Sequence, residues 1–149
     1  MGLSPKYVYK EQKEMYQKVI IIGRLGRDPE MRYTPSGQPV THLSVATDRR
    51  WTDQEGQQQQ ETTWFRVSVW GKQAEACNQY LVKGQQVLIE GRLRPDPETG
   101  GPRIWTGNDG VARASYELTA RMVRFLAKPR GVAPEEAPVV EEEVEEIPF

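Results

Sequence analysis

The stretch Thr62-Thr63-Trp64-Phe65-Arg66-Val67-Ser68-Val69-Trp70-Gly71 decides how the rest of the chain is read. β-Branched and aromatic residues dominate it, and polar and apolar residues alternate, the pattern of a half-buried β-strand. Strand side chains point to opposite faces with a period of two. Thr63, Phe65, Val67 and Val69 therefore share one face, which reads as a core. Trp64, Arg66, Ser68 and Trp70 share the other. Two indoles with a guanidinium and a hydroxyl between them make a poor core layer and a good open platform. At ~3.3 Å per residue the indoles stand ~20 Å apart, far enough to hold different parts of one extended ligand. Flat rings and a cation on one strand suit unpaired bases and phosphates, each stacked base being worth about 1–3 kcal/mol. The competing reading buries Trp64 and Trp70 in a second sheet or an oligomer interface.

Composition narrows the setting. A chain of 149 residues holds one domain plus tails. Hydrophobic residues make up 37%, with 13 Gly and 11 Pro, which predicts a turn-rich domain with a modest core. No apolar run is long enough for a transmembrane helix. Met1–Glu14 is polar and lacks the apolar region of a signal peptide. Lys6 breaks the myristoylation pattern that Gly2 would open. These features predict a cytoplasmic protein with no membrane partner. Cys77 is the only cysteine and His42 the only histidine, so no intrachain disulfide, Cys-rich zinc site, metal or cofactor is predicted. Cys77 reads as a small core residue. With no P-loop and no nucleophile–base arrangement, the chain does not read as an enzyme. Seven of the 21 acidic residues fall in 134–149, where there is no Lys or Arg, leaving 14 against all 20 basic residues in the body. A basic body with an acidic tail implies an anionic ligand for the first and a separate role for the second.

The other elements fall around the platform strand. Residues 1–15 show no periodicity and read as an N-terminal extension. Lys18–Leu25 reads as a strand buried on much of both faces, with Gly23 marking a bend or bulge. Gly23-Arg24-Leu25-Gly26 also matches a four-residue G-x-x-G pattern, but it interrupts a strand rather than joining helices and carries no weight. Tyr33–Pro39 is a turn. Val40–Trp51 is the second long strand, with Leu43 and Val45 as its core pair. Alternation would put Trp51 on that core face, so either the strand bulges before it or Trp51 stands on a rim. Arg49-Arg50-Trp51 sets two cations beside an indole. Asp53–Glu61 reads as a mobile polar hairpin tip. Lys72–Leu81 is a short amphipathic helix, ended by Gly84 with Lys83 in its last turn. Val87–Arg94 is the fourth strand, with Val87, Ile89 and Leu93 on one face and Glu90, Arg92 and Arg94 on the other. Pro95–Pro102 is a turn-rich excursion. Arg103-Ile104-Trp105 returns from it as a hairpin arm, and Gly107–Gly110 is a further turn. Tyr116–Leu126 is the last strand. From Ala127 on, Pro, Gly and Glu dominate, which predicts disorder.

Five strands with one short helix between the third and fourth predict an all-β, five-stranded OB-fold barrel, followed by a disordered acidic C-terminal tail. All four tryptophans then fall on or near strands 2 and 3 and the hairpin after strand 4, the side on which such barrels bind oligonucleotides.

The chain resembles the bacterial single-stranded DNA-binding proteins. The resemblance lies in Val19–Glu30, Thr62–Val67, Trp70-Gly71-Lys72 with its helix, Tyr80–Gly84, Ile89–Leu93 and the terminal Ile147-Pro148-Phe149. It spans residues 16–126 and the last few. It implies a homotetramer of OB domains, nucleoid-associated, that coats and protects unpaired DNA without sequence preference during replication, repair and recombination. It also implies base stacking on Trp51, Trp64, Trp70 and Trp105, with Trp70 where phenylalanine is more usual. Lys18, Arg66 and Lys72 match basic positions lining the DNA path. Arg49, Arg92 and Arg103 join them on charge and face alone. Phe65 stands where many members carry histidine near the subunit interface, and the excursion at Pro95–Pro102 is longer than usual.

In this reading residues 127–140 are a short flexible linker and 141–149 an acidic tip for replication and repair proteins. Phe149 offers a ring and a carboxylate beside Ile147 and Pro148, a set that fits a pocket with an apolar floor and a basic rim. Glu145 and Glu146 steer the encounter. The alternative is an OB-fold RNA-binding or primosome adaptor module. Specific RNA recognition needs groups for base edges or the 2′-OH, and none is identifiable.

Overall fold

The computed structural model describes residues 15–128. In chain order its elements are β1 (Val19–Leu25), β2 (Glu30–Tyr33), β3 (Pro39–Thr52), β4 (Gln58–Trp70), a helix α1 (Lys72–Tyr80), β5 (Gln86–Leu93), β6 (Ile104–Thr106), β7 (Ala112–Ala114) and β8 (Tyr116–Phe125). The predicted extension up to residue 14, all but the first two linker residues and the whole tip lie outside the described residues.

Pairing runs β1-β5-β8-β4-β3, and β1 pairs with β3 to close a five-stranded barrel of the OB type. These are the five predicted strands. Three short ones join them: β2 adds to the edge of β3, and β6 and β7 form a separate two-stranded hairpin. β1 makes the closure by changing partner, since Val19–Arg24 pair with β5 while Arg24 and Leu25 pair with β3. A Cβ on Gly23 would lie 2.4 Å from the Ala46 carbonyl oxygen, so only glycine allows this approach. Among the described residues every strand pairing but one is antiparallel; β4 and β8 run parallel, from Phe65↔Tyr116 to Ser68↔Thr119.

The core gathers the apolar residues of alternate positions: Leu25, Leu43, Val45, Val67, Val69, Val87, Ile89 and Leu118, with Ala74 and Cys77 of α1. Each such Val, Leu or Ile is stabilised by about 1.5–3 kcal/mol on leaving water. The helix is tied to its neighbours. Thr41 Oγ1 donates to the Ala74 carbonyl at 2.6 Å. Gln73 donates to the Arg121 carbonyl at 2.8 Å and accepts from the Val123 amide at 3.0 Å.

Four expectations change. β1 is buried on one face only: Ile21 and Leu25 are inside, while Ile20 and Ile22 are 44% and 51% exposed. Its outer face finds no partner within the barrel. Second, α1 ends at Tyr80, and Leu81 turns extended. Gly84 belongs to the turn beyond, where its amide donates to the Leu25 carbonyl at 2.7 Å. Third, Leu93 is 48% exposed and Glu90 is buried. The β5–β8 register shifts at Glu90/Gly91, which breaks simple alternation there. Fourth, Gln58–Glu61 belong to β4, and the turn is Asp53–Gln57, organised by one carboxylate. Asp53 Oδ1 accepts from the amides of Glu55 and Gln57 at 2.9 and 2.8 Å, and Oδ2 accepts from Gln59 Nε2 at 3.0 Å.

Candidate nucleic-acid interface

β4 is long enough to leave the barrel. It pairs with β3 without a break from Val40↔Trp70 to Thr52↔Gln58. Only the end near Trp70 overlies the core, where Val67 and Val69 are fully buried. On the opposite face Trp64 is 52% exposed and Trp70 37% exposed. The indoles are thus an open platform in this chain, not members of a second core.

Register shows which side chains accompany them, since paired residues share a face. Trp64 lies across from Ala46, Arg66 from Ser44, Ser68 from His42, and Trp70 from Val40. β2 extends the same rows, placing Arg32 beside Val40 and Glu30 beside His42. β8 adds Glu117 beside Arg66 and Thr119 beside Ser68. The platform therefore carries Trp64, Arg66, Trp70 and Arg32 in the open. Lys72 follows as an exposed cation at the first position of α1.

Trp64 is seated rather than free. A Cβ on Gly26 would come within 2.5 and 2.7 Å of its Cζ3 and Cη2 atoms, so the indole rests on the glycine backbone. Sequence reading meets Gly26 as the end of a G-x-x-G pattern without weight and misses this role. The glycine and the tryptophan are 38 positions apart, and only barrel closure brings them together.

Trp51 is arranged differently. The β3–β4 register contains no bulge, so Trp51 has the parity of Leu43 and Val45 and not that of Trp64. It escapes the core because the hairpin arm has already left the barrel. The Arg49 guanidinium stacks over its ring at 4.1 Å, and Arg49 Nε bonds Glu61 Oε1 at 2.8 Å. Trp105 stands in the β6–β7 hairpin, half-buried, with Arg103 over its ring at 5.6 Å. Arg103 also lies 3.9 Å from the buried Glu117 carboxylate. It lines a small concavity of about 140 Å³ with Arg94, Asp96 and Glu117.

Lys18 and Arg92 come together elsewhere. They border a concavity of about 520 Å³ with Tyr16, Glu90, Gly91 and Arg121, and neither Trp64, Arg66 nor Trp70 lines it. Lys18 Nζ lies 2.7 Å from the buried Glu90, which Arg121 also reaches at 3.1 Å. The hydrogen bond that the Lys18 ammonium donates to Glu90, then that to the Tyr16 side chain, holds it above its ordinary pKa. Sequence reading assigned Lys18 to the DNA path and did not foresee Glu90 as its partner, because the bulge at Gly91 hides that carboxylate from alternation.

His42 shares the platform face. His42 is half-buried, and its Nδ1 lies 3.3 Å from Ser68 Oγ. Burial first, then the charges of Arg66, Arg32 and Arg94, hold its imidazole below the ordinary histidine range, with Glu30 opposing. Among the described residues no group of three or more His, Cys, Asp or Glu could hold a metal ion, and no helix is long and apolar enough to cross a membrane.

Known proteins share this design. The chain is 43% identical over 109 residues to the single-stranded DNA-binding protein of Neisseria meningitidis serogroup B, covering 73% of this chain and 59% of that one. It is 42% identical over 118 residues to that of Helicobacter hepaticus, covering 78% and 65%. The chain thus spans about six tenths of the length of the curated relatives it matches. Its fold superposes on the Plasmodium falciparum SSB, solved in complex with ssDNA, with a TM-score of 0.63 at 25% identity, covering 77% of this chain and 98% of the other. A deletion variant of the Thermus aquaticus single-stranded DNA binding protein gives 0.56 at 32% identity, over 76% and 51%. The model of the single-strand binding protein family matches residues 16–126, the whole barrel with its platform, and the chain belongs to that family.

Proposed function

We propose that this chain binds single-stranded DNA without sequence preference and coats it during replication, repair and recombination, with no catalytic step of its own. The observation that carries the reading is the open face of β4, where Trp64 and Trp70 flank Arg66 on a barrel of this family. Bases stack on Trp64 and Trp70, and Trp51 and Trp105 extend the track from the two hairpins. Phosphates are met by Arg66, Lys72, Arg49, Arg92, Arg103 and Lys18, with release of counterions. Three of these cations already face carboxylates: Lys18, Arg49 and Arg103. Among the described residues Arg66, Lys72 and Arg92 make no ion pair, so they contribute most to the salt dependence.

A homotetramer fits the same picture. Ile20 and Ile22 form an exposed apolar strip on β1 that a second copy would cover, as exposed apolar patches on such surfaces do. Recruitment of replication and repair proteins belongs to Glu145, Glu146, Ile147, Pro148 and Phe149, which are outside the described residues.

The test is a tryptophan-fluorescence titration with oligo(dT), with oligo(rU) and duplex DNA in parallel, at several salt concentrations. Strong, salt-sensitive quenching by oligo(dT) and little by duplex is expected. Unchanged fluorescence with every ligand would overturn the reading, and tighter binding of oligo(rU) would make this an RNA protein.

A further inference from the structure

Between the two indoles the face is not uniform. Ser68 is 4% exposed, and its hydroxyl is approached from two sides, by His42 Nδ1 at 3.3 Å and by Arg94 Nη1 at 3.5 Å. Both contacts are long for hydrogen bonds. The three groups come from three segments, since His42 is on β3, Ser68 on β4, and Arg94 follows β5. Arg32 on β2 and Arg66 on β4 add their charge to the same imidazole. Against these three arginines stand two carboxylates. Glu30 lies beside His42 on β2, and Glu117 lies beside Arg66, with Arg103 already 3.9 Å away.

We propose that His42, Ser68 and Arg94 form a phosphate subsite between the stacking positions of Trp64 and Trp70, and that His42 takes up a proton when a backbone phosphodiester enters it. This deepens the DNA-binding reading and rests on it. A phosphodiester is anionic throughout the range in which proteins fold. It meets a hydroxyl donor, a guanidinium and an imidazole whose proton burial first, and then the neighbouring arginines, disfavour. Entry of the anion cancels their field, so the imidazolium becomes the better partner, donating a charge-assisted hydrogen bond.

The sign of the linkage follows. In the free protein His42 is held below its ordinary range and is neutral near pH 7. Bound phosphate raises its pKa, so binding takes up protons at pH values between the free and bound ionisations. Affinity for single-stranded DNA therefore rises as pH falls through that window and levels off on either side of it.

The experiment uses the full chain and two readouts. His42 is the only histidine, so its imidazole resonances can be followed by NMR without ambiguity. Its pKa is measured free and saturated with oligo(dT), and again with an abasic deoxyribose-phosphate oligomer. Oligo(dT) affinity is measured from about pH 8.5 to about pH 5.5 at constant ionic strength, for the native chain and for His42→Gln. A raised His42 pKa with both oligomers is expected, together with up to about tenfold tighter binding per pH unit within the window, absent in His42→Gln. If oligo(dT) quenches the tryptophans but leaves the His42 pKa unchanged or lowered, the subsite is wrong and the DNA-binding reading stands. A rise with oligo(dT) but not with the abasic oligomer would make His42 a base contact and overturn the phosphate assignment. Absence of quenching at every pH would remove both.

Discussion

Trp64 and Trp51 sit on strands paired to each other, yet the molecule treats them in opposite ways. Trp64 stands where β4 passes over the barrel, with its ring laid on Gly26 and its free side open. Trp51 stands on the arm beyond the barrel, with its ring covered by Arg49 and that arginine tied to Glu61. The first is pre-organised by packing, so stacking a base on it orders little else. The second is held by exposed charges, so a base or phosphate there must rearrange the Arg49–Glu61 pair, an interaction of small strength in water. The aromatic positions thus include a seated one on the barrel, Trp64, and an adaptable one on the hairpin arm, Trp51.

That contrast can be broken by mutation. Trp64→Ala should cause the largest loss of oligo(dT) affinity, about 1–3 kcal/mol or roughly five- to 150-fold, and Trp51→Ala a smaller one. Equal losses in a fluorescence or filter-binding titration would erase the distinction. Next in size is Gly26→Ala, whose methyl cannot coexist with the Trp64 ring in its present place. It should recover a large part of the Trp64→Ala effect, and combined with Trp64→Ala it should add almost nothing. A double-mutant cycle reads this directly, and full additivity would mean the glycine acts elsewhere.

A third substitution concerns charge. Arg66→Gln should weaken binding to all sequences alike and reduce the slope of log affinity against log salt by about one. Arg49→Gln should reduce it less, because Glu61 already offsets that charge. The smallest effect is expected at the hairpin turn. The amide of Gln57 first, then the side chain of Gln59, holds the Asp53 carboxyl below the ordinary carboxylate range. The turn's support from Asp53 is therefore present above that range and is lost as pH falls through the lowered value. Asp53→Ala should speed hydrogen exchange at the Gln57 amide near neutral pH and leave the platform amides of β4 near Val67 unchanged. Slowed exchange at Gln57, or a change spreading to Val67, would argue that the arm and the barrel move as one.

Much of this arrangement is legible in the chain because it depends on local periodicity. The alternation in Thr62–Gly71 places Trp64 and Trp70 on one face whatever the rest of the molecule does, since a strand has only two faces. At Trp51 the same logic left two outcomes, a bulge or a rim, and the unbroken register leaves the rim. Parity assigned it to the core face correctly, but parity does not say where the core ends. That limit is set by the length of the arms beyond the closed barrel. At Glu90 alternation suggested a cation-bearing outer face, and the register shift at Gly91 put the carboxylate inside between Lys18 and Arg121.

The amino-acid sequence by itself determined the five barrel strands, the helix that follows the platform strand, the main turns and the indole platform, because these follow from backbone preferences and side-chain alternation within ten or so residues. Tertiary structure alone decided that Gly26 lies under Trp64, that Arg32, Arg66 and Arg94 surround His42, and that Lys18 answers Glu90. Each of those meetings joins segments far apart in the chain. They depend on register across the sheet and on where β1 changes partner to close the barrel, and local pattern carries no information about either.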